Sequence, residues 1–116
     1  LLMESKELAL LAARAIDEKK GRDISILKLK ELSLITDYFV LGSANSRIQT
    51  QAIADNVVEQ LAKQGISLLR REGYAEGRWI LLDFGTIVVH IFQEEERNFY
   101  NLERLWGDAP RIPFAG

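Results

Sequence analysis

The chain of 116 residues has no cysteine and only one histidine. Without cysteine it can form neither a disulfide bond nor a thiolate metal site, and a single histidine argues against a histidine-based zinc site. Positive charge is not in excess either, because the formal net charge is -2. Broad, sequence-independent binding to nucleic acid relies on clustered Lys and Arg. We therefore predict no metal, no cofactor and no dedicated nucleic-acid-binding surface.

Long apolar runs are absent as well. No run approaches the roughly 20 residues that a membrane-spanning helix needs, and the start of the chain has no signal-peptide pattern. The length and the hydrophobic fraction of 47% are those of one globular domain with one core. We predict a single cytoplasmic domain over residues 1–116 without a membrane partner. Residues 107–116 should form an extended tail, because Pro110 and Pro113 disfavour a helix.

The pattern in residues 78–92 predicts a β-hairpin. Two β-rich runs flank Phe84-Gly85, and Gly tolerates the positive φ that tight hairpin turns require. With these two residues as the loop, the facing pairs are Asp83 with Thr86, Leu81 with Val88, and Trp79 with His90.

Alternation of side chains gives this hairpin two unlike faces. The first is wholly aliphatic and predicts the floor of a core: Ile80, Leu82, Ile87, Val89 and Ile91. The second mixes large apolar groups with polar tips: Trp79, Leu81, Asp83, Thr86, Val88, His90 and Phe92. A mixed face suits contact with a protein partner. It also suits a half-solvated face, or one covered by a terminal segment with one buried, satisfied histidine. We expect His90 to pack against Trp79.

Apolar stripes at helical spacing predict two long helices. The first begins with Ser5 as its cap and stops at Gly21, with its stripe at Leu8, Leu11, Ala12, Ala15 and Ile16. The second begins at a capping box formed by Ser46 and Gln49 and stops at Gly65, with its stripe at Ile53, Val57 and Leu61. Three glutamates at 94–96 open a last helical stretch, which Trp106 should pack back on the body.

Three further strands are predicted at 23–29, 38–41 and 67–71, with a turn at 42–45. Arg70 and Arg71 suit the edge of a sheet. Strand 38–41, the second helix and strand 67–71 form a strand–helix–strand unit, which favours parallel pairing with a right-handed crossover. The predicted fold class is a single α/β domain with a mixed sheet of about five strands and two long helices packed mainly on one face.

Six stretches of the chain, in matching order and spacing, resemble the ribosomal silencing factor family, also called the Iojap family. They lie at 33–40, 52–55, 72–73, 79–85, 88–92 and 99–106, and the resemblance extends from residue 5 to 110. The departures are minor. Phe84 stands where another aromatic such as Tyr is common, and Arg78 stands where an acidic or small polar residue is frequent.

The resemblance implies a nucleotidyltransferase-like α/β fold and a translational repressor. Members of the family bind the large ribosomal subunit through ribosomal protein uL14, at the face that meets the small subunit, and so block subunit joining. From the alternation of the hairpin we place the partner-binding residues on its mixed face, at Trp79, Leu81, Asp83, Val88 and His90. We expect at most peripheral contact with ribosomal RNA, and a homodimer is possible.

The competing prediction is a nucleotidyltransferase-like enzyme that acts on a nucleotide. Such a site needs a Gly-Ser turn before a helix and paired carboxylates, one residue apart, that hold two metal ions. Gly42-Ser43 does precede the second helix, but Asp55 and Asp83 each stand alone. Because a single carboxylate cannot hold a two-metal site, we expect no enzymatic activity and assign no catalytic residue.

Overall fold

Four helices and five strands make up residues 3–115, the part of the chain that the computed structural model describes. The helices are α1 (Ser5–Glu18), α2 (Arg47–Ala62), α3 (Glu94–Tyr100) and α4 (Leu102–Leu105). The strands are β1 (Arg22–Lys28), β2 (Tyr38–Ala44), β3 (Arg70–Glu72), β4 (Trp79–Asp83) and β5 (Ile87–Gln93).

The five strands form one mixed sheet in the order β1-β2-β5-β4-β3. Only β2 and β5 run parallel to each other, and the other neighbours are antiparallel. Six of the seven residues of β5 are buried, as are six of seven in β2. These two apolar strands therefore occupy the centre of the sheet, where both faces are covered. The predicted fold class is confirmed.

Both long helices pack on one face of the sheet and close the main core. The aliphatic hairpin residues and the stripe of α2 are fully buried at 0% exposure, as predicted: Ile80, Leu82, Ile87, Val89, Ile91, Ile53, Val57 and Leu61. At the start of α2, Ser46 Oγ accepts the backbone N–H of Gln49 at 3.1 Å, so the predicted cap is present. The prediction that Ser5 caps α1 was wrong, because Glu4 occupies the cap position and makes no side-chain capping bond.

The predicted hairpin register was wrong by two residues. The loop is Gly85-Thr86, closed by the N–H of Phe84, which donates to the carbonyl of Ile87 at 3.0 Å. Gly85 takes the first loop position with φ +92, where a two-residue hairpin loop tolerates glycine best. The facing pairs are therefore Asp83 with Val88, Leu81 with His90, and Trp79 with Phe92. A shift of two, unlike a shift of one, leaves every side chain on its predicted face.

The predicted strand–helix–strand unit was also wrong. The strand after α2 is β3, and it pairs antiparallel with β4, whereas the parallel partner of β2 is β5. All three residues of β3 are exposed, so this strand could not fill the buried place beside β2. Its edge position was predicted correctly, although it begins at Arg70 and is shorter than the predicted 67–71.

The predicted turn at 42–45 is mostly strand. Residues 42–44 continue β2 and pair with 91–93 of β5. Gly42 lies under α1, where an added Cβ would stand 2.7 Å from Cγ2 of Ile16. The glycine therefore permits close packing of helix on sheet, and its role is not to form a turn.

Candidate partner-binding surface

The second face of the sheet is partly covered by the C-terminal part of the chain. We call residues 94–112 the C-terminal cover. Its side chains build a second, smaller core with β1, β2 and β5, formed by Leu27, Leu29, Leu41, Phe92, Ala109, Leu102 and Trp106. Beyond α4 the chain runs extended along β1, since the N–H of Lys28 donates to the carbonyl of Pro110 at 2.8 Å. Towards β4 the cover reaches only as far as the ring of Tyr100, which contacts Trp79, and the rest of the face on β3 and β4 is open.

The five predicted binding residues divide into two groups. Trp79, Leu81 and Asp83 are partly exposed on the open part of the face. Val88 and His90 are buried, at 8% and 3% exposure. A partner that docks on this surface can touch the first group directly, whereas the second group lies beneath it. The role of all five in binding remains a prediction.

The buried His90 is hydrogen-bonded to Trp79. Its Nδ1 accepts the indole N–H of Trp79 at 3.1 Å, so the proton of the neutral ring belongs on Nε2. The ring is enclosed by aromatic neighbours, with the centroid of Phe39 at 4.5 Å in edge contact. Burial lowers the pKa of His90 from 6.5 to about 3. The imidazole is therefore neutral at physiological pH, and the predicted packing of His90 against Trp79 is confirmed.

Two further aromatic rings contact the indole of Trp79. It stacks on Phe92 with ring centroids 5.1 Å apart, and the ring of Tyr100 lies 4.5 Å from it. A large aromatic side chain that is held by a hydrogen bond and two ring contacts, yet partly exposed, loses little conformational entropy when it binds a partner. This is the property of a recognition anchor.

Three exposed apolar residues of α3 and α4 were not predicted as part of the surface. Phe99, Tyr100 and Leu105 are 79%, 48% and 72% exposed. They border an open concavity of about 530 Å³. The sequence pattern placed them on one helix, but Asn101 adopts φ +44 and breaks that helix into α3 and α4. Asn is among the few residues that adopt this conformation readily, and this was the available signal.

We call these three residues, together with Trp79, Leu81 and Asp83, the candidate surface. Its outer rim on β3 carries both signs of charge, because Arg70 and Glu72 form an exposed ion pair at 2.9 Å. Rim charges of this kind mainly set association rate and register. Asp83 also holds the hairpin loop, since its Oδ1 accepts the N–H of Gly85 at 2.8 Å.

The carboxylates of the competing enzyme prediction lie apart. Asp83 is on the open face, whereas Asp55 is on α2 on the opposite side of the sheet, where it accepts the hydroxyl of Tyr74. Ser43 lies in β2, fully buried. The arrangement is therefore not that of a two-metal transferase site. Within residues 3–115 no three acidic or histidine side chains group closely enough to hold a metal ion. No helix of that part of the chain is long and apolar enough to cross a membrane.

Comparison with known proteins decides the family. The sequence model of the family described as "Ribosomal silencing factor during starvation" matches residues 2–116. The chain belongs to the ribosomal silencing factor family. Among its relatives, ribosomal silencing factor RsfS of Halalkalibacterium halodurans is 46% identical over 114 residues, which are 98% of this chain and 97% of that one. RsfS of Bacillus subtilis is 45% identical over 108 residues, which are 93% of this chain and 92% of that one.

Solved structures agree with this assignment. A crystal structure of a protein from Chromobacterium violaceum superposes with a TM-score of 0.88 at 32% identity, covering 98% of this chain and 94% of that one. The family predicted from the six sequence stretches is confirmed. Membership associates the chain with the ribosome and with silencing of translation.

Proposed function

We propose that the protein binds the large ribosomal subunit through ribosomal protein uL14 and prevents it from joining the small subunit. The observation that carries this proposal is the candidate surface. It combines a fixed, partly exposed Trp79 with the exposed rings of Tyr100 and Phe99. Trp and Tyr are the residues most enriched at the energetic centres of protein interfaces. The partner is inferred from family membership, together with a cytoplasmic location and the absence of catalysis.

The proposed mechanism is steric occlusion. The molecule measures 35 × 32 × 26 Å along its principal axes. Even its smallest extent, 26 Å, supports the proposal that the protein, bound on the subunit-joining face of the large subunit, obstructs the approach of the small subunit. Occlusion of this kind competes with subunit joining, so it must follow mass action.

Calorimetry with isolated uL14 tests the surface. Trp79→Ala should weaken binding by about 2 kcal/mol or more, because a fixed aromatic anchor is lost. Ile48→Ala is the matched control, since Ile48 is 74% exposed on α2, on the opposite side of the sheet. Equal affinity of wild type and Trp79→Ala would mean that the binding site lies outside the candidate surface. A homodimer formed through the same surface would appear as a Trp79-dependent change of mass in sedimentation.

Sucrose gradients test the mechanism. Protein added before the subunits are mixed should raise the free large-subunit peak in proportion to its occupancy, and extra small subunit should partly reverse this. Protein added to subunits already joined on message should do little, because its site is covered. If it splits joined ribosomes as fast as it blocks free subunits, occlusion is the wrong mechanism.

A further inference from the structure

An arginine is buried where the C-terminal cover meets the sheet. Arg97 on α3 is only 8% exposed. Its Nη1 donates to Ser43 Oγ on β2 at 2.9 Å. Its Nε and Nη2 donate to the two carboxylate oxygens of Glu103 on α4, at 3.1 and 2.9 Å. This two-pronged geometry is specific to arginine, because a lysine ammonium cannot reproduce it.

Glu103 also contacts β1 and the end of the C-terminal cover. Its Oε2 accepts the hydroxyl of Ser25 on β1 at 3.1 Å, and Arg111 lies 3.8 Å away. Burial alone would raise the pKa of Glu103, but the hydrogen bonds and charges of Arg97, with those of Ser25 and Arg111, hold that pKa below its ordinary value. The carboxylate therefore stays ionised, and the pair ties α3 and α4 to both β1 and β2.

The pair encloses the segment that carries Tyr100. Arg97 precedes and Glu103 follows the break at Asn101, and Tyr100 lies between them. Helices of seven and four residues have almost no stability of their own. Their orientation depends on tertiary contacts, and Arg97–Glu103 is a largely buried contact that joins one to the other. The Tyr100 ring, 4.5 Å from the ring of Trp79, lies on the segment between them.

We propose that Arg97 and Glu103 are positioning residues for partner binding, which hold Tyr100 against Trp79 so that both rings are presented in one fixed arrangement. The part that concerns affinity rests on the proposed function. A buried ion pair contributes little net stability as a rule. What it contributes here is a single orientation, which lowers the entropic cost of binding.

A double-mutant cycle on affinity for isolated uL14 tests the proposal. Arg97→Lys keeps the charge and loses the two-pronged bond, and we expect it to weaken binding about tenfold, as loss of a coupled contact does. Tyr100→Ala should weaken binding at least as much. If Arg97 acts through Tyr100, the double variant should bind like Tyr100→Ala alone. If the factors by which the two single variants weaken binding multiply in the double variant, the proposal is wrong.

A second readout uses the free protein and needs no partner. The chain has two tryptophans, so Trp106→Phe leaves Trp79 as the only one. In that background, Arg97→Lys and Tyr100→Ala should change the near-ultraviolet circular dichroism of Trp79 alike, because the first displaces the Tyr100 ring from Trp79 and the second deletes it. Glu103→Gln, which keeps the shape of the side chain, should act as Arg97→Lys does. The control is Arg14→Lys on the exposed side of α1, which should leave spectrum and affinity unchanged.

The two readouts separate two kinds of failure. If wild type does not bind uL14, the proposed function is wrong, while the Trp79 spectrum still decides whether the ion pair positions Tyr100. If Trp79→Ala weakens binding but Arg97→Lys and Glu103→Gln leave both spectrum and affinity unchanged, the positioning proposal alone is wrong. Urea unfolding of each variant confirms that the compared proteins are folded.

Discussion

Mild acid should destabilise this protein through one residue, His90. In the folded chain the imidazole is buried and its pKa is lowered to about 3. In the unfolded chain the same group titrates near its ordinary pKa of about 6.5. Between these two pKa values the unfolded state therefore binds a proton at His90 and the folded state does not. The stabilising contribution of the neutral ring is fully present above about pH 6.5 and is lost progressively as the pH falls toward 3.

Linkage gives the size of the effect. Between about pH 7.5 and 5 the unfolded chain binds nearly one proton at this site, which lowers the free energy of unfolding by about 2 kcal/mol. The value at pH 5 depends little on the folded pKa, provided that this pKa is below about 4. Glu103, whose pKa is also lowered, acts in the same direction but at lower pH. Since the chain has one histidine, no other imidazole contributes.

Urea denaturation at the two pH values, followed by far-ultraviolet circular dichroism, measures the loss. The controls are His90→Asn, whose amide oxygen can still accept the indole N–H of Trp79, and His90→Phe, which keeps an aromatic ring. Neither replacement side chain titrates. Wild type should lose about 2 kcal/mol more than either variant between about pH 7.5 and 5. The Cε1 proton of His90, observed by NMR, should not titrate in that range.

Equal losses in wild type and both variants would refute this reasoning. That result would mean that the folded imidazole binds protons near pH 6.5, and hence that the aromatic enclosure of His90 opens in the native state. Protonated His90 would place a donor against the indole N–H of Trp79, so this opening should also release the Trp79 side chain.

Two other predictions concern backbone strain and catalysis. Gly65 and Gly73 both have positive φ, but an added Cβ meets nothing within 4 Å at the first and stands 2.0 Å from a carbonyl oxygen of β4 at the second. Gly65→Ala should therefore lower the free energy of unfolding in urea by about 1 kcal/mol, and Gly73→Ala should lower it by at least about 2 kcal/mol more. Equal losses would contradict the predicted clash at Gly73. Purified protein with magnesium and nucleoside triphosphates should release no pyrophosphate above buffer, and reproducible release that is lost in Asp83→Asn would contradict the non-catalytic assignment.

Local pattern was sufficient for the faces of the hairpin but not for its register. Alternation has a period of two, so the assignment of Trp79 and His90 to one face survives a shift of two residues. Which residue occupies the loop depends on where a positive φ is needed, and either Phe84-Gly85 or Gly85-Thr86 satisfied the sequence rule. In the structure the loop is Gly85-Thr86, with Gly85 in its first position.

Contacts between distant parts of the chain explain the other errors. Gly42-Ser43 has the composition of a turn, yet it lies in β2 because Ile16 of α1 needs the space that a side chain would fill. Arg97 has the character of a surface residue, yet it is buried because Ser43, 54 residues earlier, and Glu103 satisfy its donors. No local rule predicts such burial, because it depends on how the end of the chain folds back over its beginning.

The same covering decides how large a binding surface the sheet can offer. β4 has five residues, which span about 17 Å, and β3 and β4 together are about 10 Å wide. The open sheet face thus presents roughly 170 Å², well short of the ~800 Å² that each partner buries in a stable protein complex. A stable complex centred on Trp79 must therefore reach beyond the sheet, and we expect it to include the outer side of α3 and α4, where Phe99 and Leu105 are exposed. On this prediction the C-terminal cover hides part of the sheet face but adds exposed apolar side chains of its own to the surface.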